Sequence, residues 1–351
     1  MSLSQVTAAQ VLDGSLKFDA LIDVRSPAEY AEDHLPGAVN WPVLDDAERA
    51  RVGTIYKQVN TFEARKVGAA LVSRRIAATL EQFVVDKPRD WRPLVYCWRG
   101  GQRSGSLSLV LAQVGFATAQ LAGGYRAFRA QVREQLATLP AQFQFTVIGG
   151  RTGSGKTRLL QALRAAGGQV LDLEALAAHR GSVLGGLPDQ DQPTQKRFDS
   201  LVWQALRAFD PARPVFVESE SRRIGRCQLP DALLARMQDE SPVVVVEMPV
   251  AARCELLLED YAFFTQDADA LCARLEPLVE LRGKVVVEHW QTLARAGDWA
   301  ALLPDLMRDH YDPLYDRSAK RHAAARSSIT ALPLRDGRAD TLAAAAAQLL
   351  G

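Results

Sequence analysis

The chain has 351 residues, 42 Lys and Arg against 41 Asp and Glu, a formal net charge of +1, and 48% hydrophobic residues. These proportions exclude a disordered chain, which needs low hydrophobicity and high net charge, and a uniformly basic nucleic-acid binder, though not a local basic face. Four scattered cysteines (Cys97, Cys227, Cys254, Cys272) exclude a disulfide framework, and with no CxxC pair a structural zinc site is not expected.

In chain order, the apolar run 20–24 reads as a buried strand, followed by a turn in which Ser26 caps a short helix with Pro27 first and Glu29 third. His34 to Asn40 reads as a loop into another short strand, and 61–83 as a long helix. Pro93–Cys97 is a strand ending at a cysteine; a helical run over Ser106–Val114 and a strand over Phe116–Leu121 follow, and 129–140 is a helix. A second alternation then begins: strands at 143–148, 170–172, 215–218 and 243–247, with helices at 158–166 and 197–209 between them. Residues 251–321 read as helical, and 341–350 as an Ala-rich helix. Strands alternating with helices imply parallel α/β sheets. A single core rarely grows past roughly 250–300 residues, so two domains are expected, 1–139 and 140–351. The N-terminus lacks the basic and apolar regions of a signal peptide, and no apolar run approaches the roughly 18 residues of a membrane span. A cytoplasmic location with no membrane partner is the expectation.

The first chemical feature is Cys97-Trp98-Arg99-Gly100-Gly101-Gln102-Arg103-Ser104, where a strand turns into a helix. Gly100 and Gly101 let backbone N–H groups point inward as an anion nest, with Gln102 and Ser104 completing the loop. The following helix N-terminus, Arg99 and Arg103 add positive potential, which stabilises a thiolate, the nucleophilic form of cysteine. Cys97, Arg99 and Arg103 are therefore the candidate catalytic residues, suited to a persulfide or a tetrahedral anion. The second feature is Gly150-Arg151-Thr152-Gly153-Ser154-Gly155-Lys156-Thr157, the G-x4-G-K-T pattern of a Walker A phosphate loop between an apolar strand and a helix. The amides of Gly150, Thr152, Gly153, Ser154 and Gly155 would cradle a diphosphate, Lys156 would reach it, and Thr157 would ligate Mg²⁺. Glu218 and Glu220 end the strand at 215–218, and Asp172 and Glu174 end the one before. Either Glu218 or Glu220 could be a metal ligand or base, and both pairs could face the phosphate site at the carboxyl ends of the strands. Arg180, in His179-Arg180-Gly181-Ser182, could close over the diphosphate.

Asp23 to Tyr30 and His34 to Asn40 resemble the opening motif of the rhodanese domain, and Leu121-Ala122-Gly123-Gly124-Tyr125 its closing motif. The cysteine loop departs from common rhodanese loops by one residue. Cys97 to Arg103 is C-x5-R, the spacing of tyrosine phosphatases, although Tyr96 stands where those carry His. Read on the loops alone, a rhodanese-type sulfurtransferase or a C-x5-R phosphatase with a regulatory P-loop NTPase domain stays open.

The cysteine loop and phosphate loop in this order, with Asp172-Leu173-Glu174, His179 to Ser182, Gln192 to Gln195, Glu218 to Gly225 and His310 to Tyr315, resemble the tRNA 2-selenouridine synthase family. The resemblance implies a rhodanese-like domain followed by a P-loop NTPase-like α/β domain with a helical C-terminal region. It implies an enzyme acting on wobble 2-thiouridine in tRNA. The sulfur is S-geranylated from geranyl diphosphate and then replaced by selenium from selenophosphate, with a selenophosphate-supplying enzyme as a further partner. A geranyl tail needs an apolar pocket, for which Tyr261, Phe263, Phe264, Trp290 and Trp299 are candidates. Basic clusters for tRNA are Arg65, Lys66, Arg74 and Arg75; Arg222, Arg223 and Arg226; and Arg317, Lys320, Arg321 and Arg326.

Overall fold

A computed structural model describes residues 3–182, 184–186, 190–322 and 328–351, without the side chains of 318 and 320–322. Arg326 and the side chains of Lys320 and Arg321 lie outside the described residues. The chain divides into two compact units, Met1–Gln135 and Leu136–Gly351. The helix Gly124–Thr138 runs across this division, which falls a few residues before the expected boundary.

In the first unit the strands are β1 (Ser4–Val6), β2 (Ala20–Asp23), β3 (Val39–Asn40), β4 (Pro93–Tyr96) and β5 (Ala119–Leu121). All pair in parallel, in the order β1-β5-β4-β2-β3. Central β4 is buried along its whole length, which is why it reads as an unbroken apolar run rather than an alternation. Its Val95 packs with Ile22, Leu107 and Leu111 in the core of this unit. The helix after the cysteine spans Gln102–Val114 and so begins earlier than its apolar stretch suggested, bringing its N-terminus to the loop. The strand expected over Phe116–Leu121 is only β5. The helix expected over 61–83 is Thr61–Thr79, prolonged by a wider turn at Leu80–Val84. Sequence patterning missed the helix Asp46–Gln58, which buries no residue and shows no apolar stripe. It is set by its start: Asp45 accepts from Glu48 N–H at 2.8 Å, and Glu48 accepts from Asp45 N–H at 2.9 Å.

The second unit holds β6 (Phe145–Gly150), β7 (Gln169–Leu171), β8 (Val215–Glu218), β9 (Arg223–Ile224), β10 (Cys227–Gln228), β11 (Val243–Glu247) and β12 (Ile329–Pro333). A parallel sheet runs β12-β11-β6-β8-β7, and β9 with β10 forms a small antiparallel hairpin. The chain leaves β6 towards β8 and β7 on one side and returns to β11 on the other. The carboxyl end of β6 is therefore a switch point, where open α/β sheets bind ligands. The missed edge strand β12 is mostly exposed, so it lacks the apolar run that betrayed its neighbours. Residues 250–322 form a succession of short helices around Leu275, Val287, Trp290 and Leu302, all fully buried.

Candidate functional site

The cysteine site is built at the carboxyl end of β4. Cys97 is buried, and Ser104 Oγ donates to its Sγ at 3.2 Å. Gln120 on β5 steadies the loop from behind, its Nε2 donating to Gly100 O and to Ser104 Oγ, both at 2.8 Å. The backbone after β5 closes the ring: Tyr125 N–H donates to Cys97 O at 2.9 Å and Arg126 N–H to Trp98 O at 3.0 Å. Gly124 permits this approach. It sits at φ +57°, and a Cβ there would lie 2.2 Å from Cys97 O and 2.5 Å from Gly100 N. The outer face of the loop, Arg99, Gly101 and Gln102, is exposed. With the helix Gln102–Val114 starting at the loop, its unpaired N–H groups and dipole favour an anion beside Cys97.

Arg103 is not a free cation. Its guanidinium donates to Glu29 through Nη1 at 2.5 Å and Nη2 at 3.2 Å. Burial pushes the Glu29 carboxyl up, but its hydrogen bonds and charge attraction to Arg103 outweigh that and hold it below the usual carboxylate range. Arg99, with no such clamp among the described contacts, is the cation able to follow an incoming anion. Beneath the loop, the fully buried Arg25 binds Asp23 and the Asp33 carbonyl, both at 2.6 Å, and lies 4.1 Å from the Tyr125 ring centroid. The residues of the opening motif therefore form a buried ionic and aromatic support.

In the second unit Gly150 ends β6 and Lys156 starts the helix Lys156–Ala165, so the phosphate loop joins them. Lys156 Nζ donates to Gly150 O at 2.8 Å and Arg151 O at 3.3 Å. Gly153 (φ +78°) lets the loop pass against the helix Val250–Asp260, where a Cβ would meet Arg253 O at 3.0 Å. Arg253, nearly fully buried, donates from Nε to Thr152 O at 2.9 Å and fixes the loop from behind. No motif in the sequence signals this residue.

The loop opens into a cavity of about 790 Å³ that Thr157, Glu174, Arg180 and Glu220 also line. Thr157 Oγ1 donates to Glu174 Oε2 at 3.1 Å. Glu218 stands deeper: its Oε1 accepts from Glu174 N–H at 2.6 Å, and its Oε2 is buried without a partner. Of the carboxylates weighed from sequence, Glu174 and Glu220 thus face the cavity while Glu218 supports Glu174. Burial raises the Glu218 carboxyl well above its usual range, helped by Asp172 and Glu220. Burial and the Glu174 charge push Glu220 up to about 8, with Lys156 opposing. Burial also lowers the Lys156 ammonium, with Glu174 and Glu220 opposing. Arg180 lines the cavity while donating to Asp260 O and lying 4.9 Å from the Tyr261 ring centroid.

The donor set of hydroxyl and carboxylate oxygens suits a hard divalent cation such as Mg²⁺. Among the described residues no three His, Cys, Asp or Glu gather in a metal-holding cluster. A cation here would therefore take few protein ligands and draw the rest from phosphate and water. Beside the polar cavity lies an apolar one of about 50 Å³, and the two share Thr152, Leu257, Tyr261 and Tyr311. Of the aromatics expected to line such a pocket, Tyr261, Phe264 and Trp299 do; Trp290 belongs to the helical core, and Phe263 packs on Phe264 with ring centroids 4.4 Å apart. Among the basic clusters, Arg75 pairs with Asp45 at 2.6 Å and Arg222 with Asp231 at 2.9 Å, while Arg65, Arg74, Arg223 and Arg317 are exposed. No described helix is long and apolar enough to cross a membrane.

Two family models match the chain: a rhodanese-like domain over residues 7–131 and a tRNA 2-selenouridine synthase AAA domain over residues 143–276. A tRNA 2-selenouridine synthase of Sulfurovum sp. (strain NBC37-1) is 34% identical over 336 residues, 87% of this chain and 90% of that protein. One of Nitrosomonas europaea is 38% identical over 249 residues, covering 70% of this chain and 64% of its own length. One of Marinobacter nauticus is 34% identical over 328 residues, covering 84% and 87%. On this similarity across both units, the chain belongs to the tRNA 2-selenouridine synthase family of enzymes.

Proposed function

We propose that the protein converts wobble 2-thiouridine of tRNA into 2-selenouridine through an S-geranyl intermediate, using geranyl diphosphate and selenophosphate. The observation that carries this reading is the pair of adjoining cavities at the phosphate loop. A polar one suits a diphosphate and an apolar one suits a hydrocarbon tail, with Thr152, Leu257, Tyr261 and Tyr311 at their junction. At about 50 Å³ the apolar cavity takes a geranyl chain only when side chains such as Met307 shift rotamer.

In the first step the thiouridine sulfur bonds to the allylic carbon, the carbon–oxygen bond breaks, and pyrophosphate leaves with the electron pair. The base loses its N3 proton to solvent. Lys156 and the loop amides carry the growing charge on the leaving group. Thr157 and Glu174 would hold Mg²⁺, which supplies further charge neutralisation. In the second step selenium from selenophosphate adds at C2 and geranylthiol departs; water then cleaves the phosphorus–selenium bond and releases phosphate. The Cys97 loop holds the selenium donor as selenophosphate seated on the loop amides with Arg99 over it. Alkylation comes first because a thiocarbonyl sulfur is a poor leaving group and a thioether sulfur a good one.

The test is nucleoside mass spectrometry of 2-thiouridine tRNA incubated with enzyme, Mg²⁺, geranyl diphosphate and selenophosphate. Wild type should yield 2-selenouridine, Cys97→Ala should stop at the geranylated base, and Lys156→Ala should leave 2-thiouridine. Unchanged 2-thiouridine with wild type would overturn the reading.

A further inference from the structure

The helices Asp46–Gln58 and Thr61–Thr79 stand out in the first unit because the former has no fully buried residue and rests on the core through the half-buried Val52. Helices in globular proteins are held mainly by an apolar face against a core, so a helix with so little of one usually serves a surface. Where the two helices meet, Tyr56, Val59 and Phe62 are 58%, 63% and 65% exposed. Lys57, Arg65 and Lys66 around them are exposed too, and Lys66 Nζ lies 5.2 Å from the Phe62 ring centroid. From Asp46 to Thr79 there are seven Lys or Arg against three Asp or Glu, a local net charge of +4 in a chain that nets +1.

We infer that this hairpin tip is a docking surface for an unpaired loop of RNA, with Tyr56 and Phe62 stacking on bases and Lys57, Arg65 and Lys66 meeting phosphates. It rests on the reading of tRNA as substrate and adds where the RNA is held. Solvent-facing rings interleaved with cations are what single-stranded nucleic acid requires, since every base offers a π-face and every nucleotide a charge. A second protein fits less well: three apolar side chains fall far short of the roughly 800 Å² per partner of a stable protein interface.

The base of the hairpin ties it to the cysteine loop. Asp46 Oδ1 accepts from Ala28 N–H at 3.0 Å, and Glu29 contacts both Arg49 of the hairpin, at 3.7 Å, and Arg103 of the loop, at 2.5 Å. Thirteen helical residues span about 20 Å, so RNA held at the tip is gripped about that far from the base of the hairpin.

The test is fluorescence anisotropy of the full-length protein with a labelled anticodon stem-loop carrying 2-thiouridine, over a salt series. Tyr56→Ala/Phe62→Ala should weaken binding about tenfold or more, while Phe62→Trp should retain it. Lys57→Glu/Arg65→Glu should weaken binding and flatten the salt slope by about 1.4, or about 0.7 per lost phosphate contact. Arg89→Glu, also exposed but outside the hairpin, should change little. All variants should keep wild-type melting temperatures. If wild type binds and the tip variants bind equally well, the docking surface is wrong and the substrate reading stands. If the variants alter self-association and leave RNA binding intact, the tip joins copies of the chain and the inference also fails. If wild type does not bind the stem-loop, the substrate reading fails and takes this inference with it.

Discussion

Arg253 grips Asp312 with both terminal nitrogens, at 3.0 and 2.6 Å, while its Nε donates to the Thr152 carbonyl of the phosphate loop. One guanidinium thus joins the helix Val250–Asp260, the helix Asp312–His322 and the loop Gly150–Thr157.

The first prediction follows from that triple contact. Arg253→Leu leaves Asp312, among the described residues, with only a longer contact to Arg151 at 3.7 Å, and it should lower stability by about 3 kcal/mol. The double variant Arg253→Leu/Asp312→Leu should recover much of that in denaturant titrations, because no carboxylate is left unpaired. Geranylation should not recover, since the Thr152 carbonyl has still lost its donor. Equal recovery of stability and geranylation would show that Arg253 acts through folding alone.

A second prediction concerns the backbone behind Cys97. Gly124→Ala places a methyl group against Cys97 O in a left-handed conformation, and should destabilise the protein by about 2 kcal/mol or more. Because the strain falls on the cysteine loop, tRNA should accumulate at the geranylated stage while the first step continues. Product ratios by nucleoside mass spectrometry check this; a fall in both steps together would refute it.

These two positions mark what the sequence makes legible. The apolar runs of β4, β8 and β11 and the phosphate loop declare themselves locally, because parallel strands are buried on both faces and the loop pattern is short and contiguous. Leu121 to Tyr125 can be matched to a known motif, yet its physical task is invisible in the string: Tyr125 N–H and Arg126 N–H bond the carbonyls of Cys97 and Trp98 from across a helix and a strand. Arg253 carries no local pattern at all, since its partners Thr152 and Asp312 come from distant segments. The helix Asp46–Gln58 escapes because its signal is a cap rather than a stripe. Among the carboxylates, spacing singled out Glu218 and Glu220 together, and only the fold separates the supporting Glu218 from Glu220 in the cavity.

Ser104 provides a third prediction. It donates to Cys97 Sγ and accepts from Gln120, which keeps a second acceptor in Gly100 O. Ser104→Ala should therefore cost only about 1 kcal/mol of stability. Loss of the hydrogen bond to the Cys97 sulfur should slow selenation about tenfold, equivalent to about 1.4 kcal/mol. Single-turnover assays starting from geranylated tRNA isolate the step; an unchanged rate would remove Ser104 from the chemistry.

The fourth prediction is a pH dependence at Glu220. Burial and the charge of Glu174 raise its carboxyl from 4.5 to about 8, so the folded protein holds a proton there that the unfolded chain releases. The sign follows from linkage: where the folded state binds more protons, stability falls as pH rises, here between about 4.5 and 8. Ligand binding follows the same sense. Below pH 8 a neutral Glu220 tolerates a diphosphate, and above it a carboxylate repels one inside the same cavity. The KM for geranyl diphosphate should therefore climb as pH passes 8, with kcat changing less. Glu220→Gln, neutral throughout, should flatten both the KM profile and the stability slope. If the variant keeps the wild-type KM profile, some other group sets it, with Lys156, whose ammonium is lowered by burial, the next to test by the same titration.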